Sequence, residues 1–422
     1  MPHLYLATER TQEEKESMQI ITLAGVGLPY LLTDTVCNYN RSHTDVRIVM
    51  KDYATDEDMY DYTYANGVET LKQELLTGSV PDILCTDNLP FDRLANKGLF
   101  ADLAPLLEKD ERFSETDYYM NFFDSLCYGG KQQRIAFSYT IETNFAKTEF
   151  VGEQQGRSPS EFLDMLKNLP DGMTVYSDIK REDITFLMRE VQGAFIDTEQ
   201  RTCSFDSPEF IALLELAGSL QPRDYTSVWD VSEFYAAYVN DKALLYSKYI
   251  YRPINFHEVH SGIFRNEPVT LVGYPATDGN GGIFSPTFML SLNTQSIYET
   301  EVMDFFMELL GEDYQRKVCL DNEMHSDSLP VLRSALEEDC TAATKGANRK
   351  YYMGSEVNTG NATEEEMAQL LAYIEGITVS RFQDYTIQNV IEEEAEMFYA
   401  GDQTAEETAR MIQSRVGLYL SE

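Results

Sequence analysis

Tryptophan occurs once, at Trp229, and histidine only five times in 422 residues, which leaves little material for histidine-based acid–base chemistry or metal sites. Basic side chains are also scarce. Lys and Arg number 33 against 71 Asp and Glu, a formal net charge of -38. Such a field repels phosphate backbones and anionic lipid headgroups, so neither nucleic acid nor direct membrane adsorption is expected. The acids identify no ligand by themselves, because carboxylates in such numbers mostly sit on solvated helix faces. No apolar run reaches the roughly 18 residues of a membrane-spanning helix. The nearest, 20–32, is interrupted by Thr22, Gly25, Gly27 and Pro29. The opening Met1-Pro2-His3-Leu4-Tyr5-Leu6 lacks the basic and apolar segments of a secretory leader, so any leader or anchor is expected outside this sequence. Six cysteines (Cys37, Cys85, Cys127, Cys203, Cys319, Cys340) form no CxxC pair and no repeated spacing. Neither a zinc site nor a disulfide framework is signalled, and most of the thiols are expected to be buried. A Gly-x-Ser-x-Gly elbow and a Gly-x-x-x-x-Gly-Lys phosphate loop are both missing.

A chain of this length with 43% hydrophobic residues can bury a substantial core, as two domains or one large split one. Residues 4–7 read as a short strand and 9–17 as a polar linker. Regular structure begins with a strand over 19–24, a turn at Gly25-Val26-Gly27, an apolar helix and a strand over 46–50, a βαβ opening. A helix over 67–77 leads to a strand over 83–85, the polar loop Thr86-Asp87-Asn88 and a helix from Phe91. Strands alternating with helices imply a mainly parallel sheet covered on both faces, and ligands of such sheets bind beyond the carboxyl ends of the strands. Gly25 and Gly27 lack the third glycine of a dinucleotide fingerprint. Gly27 therefore marks either a close backbone approach to a ligand or a plain turn.

Later helices carry start signals at Ser158-Pro159-Ser160-Glu161, Ser207-Pro208-Glu209, Thr363-Glu364-Glu365-Glu366 and Thr404-Ala405-Glu406-Glu407. Between them lies a strand-like, turn-rich tract over 269–292 whose loop 274–282 is the longest glycine-rich segment. His257-Glu258-Val259-His260 resembles a zinc-protease motif, but its histidines are three rather than four apart and Pro253 makes a helix there doubtful. No metal, cofactor or catalytic residue is assigned. Asp278 is read as a turn residue, since no glutamate follows at calcium-loop spacing. With 71 acids a glycosidase carboxylate pair remains an alternative, as does a surface module without a ligand.

Five stretches in order carry a family resemblance. They are Gly78-Ser79-Val80-Pro81-Asp82-Ile83-Leu84 followed by 94–103, Ser160-Glu161-Phe162-Leu163, Phe205-Asp206-Ser207-Pro208-Glu209-Phe210, the tract 273–286 followed by 301–310, and Leu329-Pro330-Val331-Leu332. Together they resemble the family 1 extracellular solute-binding proteins, the substrate-binding components of ABC importers that include the maltose-binding group. The resemblance runs from about residue 19 to the end. It implies an α/β, two-lobe periplasmic-binding-protein-like fold with a hinge and an interlobe ligand cleft. After an N-terminal extension over 1–17, the lobes would comprise 18–137 with 285–330, and 138–284 with 331–422. It implies an extracellular, cell-surface monomer that binds a carbohydrate or other small polar solute, delivers it to an ABC permease, and is not an enzyme.

The resemblance places Thr86, Asp87 and Asn88 on a ligand-contacting loop, and Tyr139 and Glu142 on a hinge strand that touches ligand. Tyr246 and Tyr249 fall on an aromatic-bearing loop of the second lobe, where the family's usual tryptophan is missing. Tyr274, at the head of the glycine-rich loop, and Trp229 complete the candidates. Aromatic faces suit the C–H face of a sugar ring, and carboxylates and amides suit its hydroxyls. Trp229 has a second reading, as a staple at the start of a helix over 232–240.

Overall fold

The structure, a computed structural model, describes residues 18–56, 64–78, 80–177, 180–181, 195–197, 200–222, 231–275, 280–320, 328–345, 348–352, 355–381 and 384–421. The expected strand over 4–7, the linker over 9–17, Trp229 and Asp278 lie outside them. The chain forms two compact units, the first from Met1–Phe113, Lys131–Ala136 and Phe288–Gly311, the second from Ser114–Gly130, Phe137–Thr287 and Glu312–Glu422. Residues 114–130 and 312–330, expected with the first lobe, thus group with the second unit. Their hydrogen bonds give the reason: Asn121 Nδ2 donates to the carbonyls of Ile374 and Ile377, and Gln315 Nε2 to that of Phe137.

In the first unit, β1 (Gln19–Gly25) alternates exposed Ile20 and Thr22 with buried Ile21 and Leu23, the period-two pattern of a half-buried strand. It runs parallel to β2 (Val46–Asp52) along one edge and to β3 (Ile83–Cys85) along the other. The strand Met289–Leu292 and β4 (Ile135–Ala136) complete the sheet antiparallel, in the order β2, β1, β3, 289–292, β4. Helices Tyr30–Ser42 and Ala65–Leu76 make the two parallel crossovers. Because β1 lies between β2 and β3, the winding reverses at β1 and β3, and the loops after those two strands flank the point where open α/β sheets bind ligands.

The second unit is built on β5 (Ser138–Lys147). It pairs antiparallel with the strands Leu329–Pro330, Ile283–Pro286, Tyr246–Ile250 and Val269–Leu271, and Val379–Ser380 runs parallel to Ile283–Pro286. Alternation gives β5 two faces. Tyr139, Ile141, Thr143 and Phe145 point to the apolar one. There the Tyr139 ring meets Phe122 and Phe284 at centroid distances of 4.8 and 4.9 Å, Phe145 meets Phe256, and Thr143 Oγ1 lies 2.7 Å from Tyr373 Oη. Ser138, Thr140, Glu142 and Asn144 point to the other. Helices Pro208–Ser219, Tyr385–Ala400 and Ala405–Ser421 bury a separate core around Phe205, Phe210, Leu214, Ile391 and Ile412.

The four helix starts read in the sequence are present. Ser158 with Glu161, Thr363 with Glu366 and Thr404 with Glu407 exchange the two bonds of a capping box, and Ser207 accepts from the Phe210 amide. The expectation for the cysteines is corrected. Only Cys85 and Cys340 are buried among the five described thiols, because Cys37 lies on the outward side of a helix whose inner residues are Leu32, Thr35, Val36 and Tyr39, and Cys127 is also exposed.

Candidate functional site

At the carboxyl ends of the first unit's parallel strands, Asp52 organises the turn after β1. Its Oδ1 accepts from the amides of Gly27 and Ala54 at 2.8 and 2.9 Å, and its Oδ2 from Leu28 at 2.8 Å. The turn needs both of its glycines. A Cβ on Gly25 would lie 2.9 Å from that of Cys85, and Gly27 has φ +68° with the Tyr64 ring 2.5 Å from where its Cβ would stand. Asn88 Nδ2 donates to the Val26 carbonyl at 2.8 Å, tying the β3 loop to the β1 turn.

Thr86 is buried, and its amide extends the sheet by donating to the Met289 carbonyl at 2.9 Å. Asp87 Oδ2 accepts from the Cys85 thiol at 2.9 Å and from the Met289 amide at 3.2 Å. Burial pushes the Asp87 carboxyl up, against the opposing pull of those two bonds and of Arg134. Thr86 and Asp87 thus hold the loop, whereas Gly27 and Asn88 form its turn and its bridge. Sequence reasoning missed Tyr64, whose backbone is left-handed at φ 54°, ψ 14°, an uncommon state for a residue with a side chain.

In the second unit, the polar face of β5 brings three expected residues together. Glu142 stands opposite Tyr249 in the register, and Asn144 opposite Ser247. Ser247 Oγ lies 2.8 Å from the hydroxyl of Tyr274, and Asn144 Nδ2 donates to the Gly273 carbonyl at 3.1 Å. Glu142 is 1% exposed, with Arg381 Nη1 3.5 Å from its Oε1. Tyr139 and Tyr246 do not join this group. Tyr139 is 0% exposed on the opposite face, where desolvation pushes its hydroxyl well up. Tyr246 pairs with Phe145 in register and packs among Phe234, Tyr238 and Phe264. Both are core residues, without a ring face left for a ligand.

His257 and His260 have a different place from the one their spacing brought to mind, and the doubt about a helix there is corrected. Helix Ile254–Glu258 starts directly after Pro253, whose fixed φ suits a helix start, and continues as a π-helical turn over Val259–Ile263. Both imidazoles converge on one carboxylate: Nδ1 of His257 lies 3.0 Å and that of His260 2.5 Å from Glu366, which also accepts from the Thr363 amide at 2.7 Å. Burial opposes ionisation of Glu366, yet the bonds from His257, His260 and Thr363 outweigh it and hold the carboxyl well below its usual range. Among the described residues no group of three or more His, Cys, Asp or Glu side chains is arranged to hold a metal ion, and no helix is long and apolar enough to cross a membrane.

No protein-family profile and no curated protein matches the chain. Solved structures do. The sugar-binding protein MalE from Xanthomonas citri matches with a TM-score of 0.58 at 12% identity, over 96% of this chain and 98% of its own. An extracellular solute-binding protein family 1 member from Alicyclobacillus acidocaldarius matches with a TM-score of 0.57 at 12% identity, over 96% and 99%. An ABC substrate-binding protein from Listeria monocytogenes, solved with cycloalternan, matches with a TM-score of 0.54 at 13% identity, over 96% and 99%. At these identities the likeness is one of fold. The chain has the α/β, two-unit fold of periplasmic binding proteins that the family resemblance of its sequence implied.

Proposed function

We propose that this chain binds a small polar solute, most fittingly a carbohydrate, outside the cell and hands it to the permease of an ABC importer, acting as a monomer and not as an enzyme. The observation that carries the reading is the polar face of β5, where Glu142, Asn144, Ser247, Tyr249 and Tyr274 gather on one side of a sheet whose other side is packed with aromatic rings. Aromatic, amide and carboxylate groups in one place are the means by which proteins hold sugars. Gly27, Asn88 and Tyr64 offer a second set at the strand ends of the first unit, where this class of sheet takes its ligands. The binding proteins of like fold, one named for sugar binding and one solved with cycloalternan, support the same reading.

A glycosidase is the weaker alternative. Glycoside hydrolysis uses two carboxylates facing the scissile bond, roughly 5–10 Å apart. The polar face of β5 supplies one, Glu142, and Arg381 already stands beside it. In the first unit, Asp52 and Asp87 are engaged with backbone amides. The two readings part in a single tube. A melting scan of the full chain against mono- and oligosaccharides should show an upward shift with its partner, since ligand at 100 times its dissociation constant stabilises by about 2.7 kcal/mol. The same sugar should be recovered intact after prolonged incubation. New reducing ends would establish the glycosidase instead.

A further inference from the structure

The polar face of β5 holds atoms that the chain itself leaves open. Glu142 Oε2, Arg381 Nε and Asn144 Oδ1 are all buried and have no hydrogen-bond partner among the described residues. Glu142 and Arg381 meet through a single long contact of 3.5 Å, not the two parallel bonds by which a guanidinium and a carboxylate satisfy each other. Arg381 is held in place by its backbone, whose amide donates to the Phe284 carbonyl at 2.7 Å just beyond the strand Val379–Ser380. Its side chain keeps 21% exposure, that of Glu142 1%. Open donors and acceptors on buried ions are costly and uncommon in folded proteins, and a bound group that closes them removes the cost.

We infer that Glu142, Arg381 and Asn144 form a subsite for two hydroxyls of an uncharged polyol, with Arg381 as a specificity-determining residue. This deepens the solute-binding reading and rests on it. The open atoms select the class. Two are acceptors and one is a donor, so a first hydroxyl donates to Glu142 Oε2 while accepting from Arg381 Nε, and a second donates to Asn144 Oδ1. Glu142 and Asn144 are two residues apart along one strand face, about 7 Å, a span that one sugar ring bridges. The pair carries no net charge. A carboxylate or phosphate on the ligand would be repelled by Glu142 in a site of low dielectric, and an ammonium group by Arg381. An amino-acid zwitterion could meet both ions but would leave Asn144 Oδ1 open.

The test measures melting temperature and calorimetric affinity of the full chain with glucose, maltose, maltotriose, glucuronate, glucose 6-phosphate and alanine, then repeats the measurements on Glu142→Gln, Arg381→Gln and the double variant. A neutral sugar should bind and its charged counterparts should not. Each single variant should weaken that sugar roughly tenfold or more, the loss of one charge-assisted hydrogen bond. The double variant, which removes both open ions together, should melt without ligand at or above the parent temperature and still lose the sugar. The loss of sugar in that variant separates a subsite from a structural ion pair, whose joint removal leaves affinity alone. Sugar affinity within twofold of the parent in the double variant overturns the subsite while the solute-binding reading stands. Preference for glucuronate, glucose 6-phosphate or alanine overturns the ligand class. If no compound stabilises the parent chain, the solute-binding reading fails, and the subsite with it.

Discussion

Gly27 shows how much a single position decides at the first unit's strand ends. Its φ of +68° is strained for any residue with a side chain, and a methyl group there would stand 2.5 Å from the Tyr64 ring. Gly27→Ala should lower stability by about 1–3 kcal/mol, read as a lower midpoint in denaturant at unchanged slope. An unchanged midpoint would mean that the turn relaxes freely and that neither Asp52 nor Tyr64 fixes it. The sequence marks the turn, because two glycines one residue apart after an apolar strand have few other uses. It does not mark Tyr64. The placement of that ring depends on a left-handed backbone at a tyrosine, which no pattern of side chains announces.

The elements of the second unit explain why some expected ligand residues are core. Tyr139 and Glu142 are three apart on one strand, as are Tyr246 and Tyr249, and an odd separation sends two side chains to opposite faces. That signal is legible in the sequence, in the odd spacing of each pair. Arg381 was not legible, since only the pairing of Val379–Ser380 with Ile283–Pro286 brings it beside Glu142, 239 residues earlier. The same distinction holds for the helix Glu364–Glu375. Its capping box is written in Thr363 and Glu366, whereas the use of that carboxylate by His257 and His260 is a tertiary event.

A pH dependence follows at this scale. The Glu366 carboxyl is depressed in the fold relative to its ordinary value of 4.5, so it adds stability that is fully present above that value and fades as pH falls below it. Glu366→Gln should cost about 1–3 kcal/mol near neutral pH and less in acid, narrowing the gap between the two melting curves below pH 4.5. A gap of constant size from pH 7 to pH 3 would show that the carboxylate charge contributes nothing.

At the scale of the whole molecule, the βαβ opening, a mainly parallel sheet and the capped helices from Ser158 onward were all readable, because each rests on local periodicity and turn chemistry. Allocation of 114–130 and 312–330 to the second unit was not, because it depends on single long-range bonds such as Gln315 to Phe137 and Asn121 to Ile374. The central claim, that this fold serves to hold one small polar solute, is tested most directly by calorimetric titration of the full chain with the sugar that most raises its melting temperature. The predicted result is saturable binding at one site per chain, with the sugar recovered unchanged and the affinity reduced roughly tenfold or more in Glu142→Gln. Titration without saturation by every sugar tried, or conversion of the sugar to product during the experiment, would contradict it.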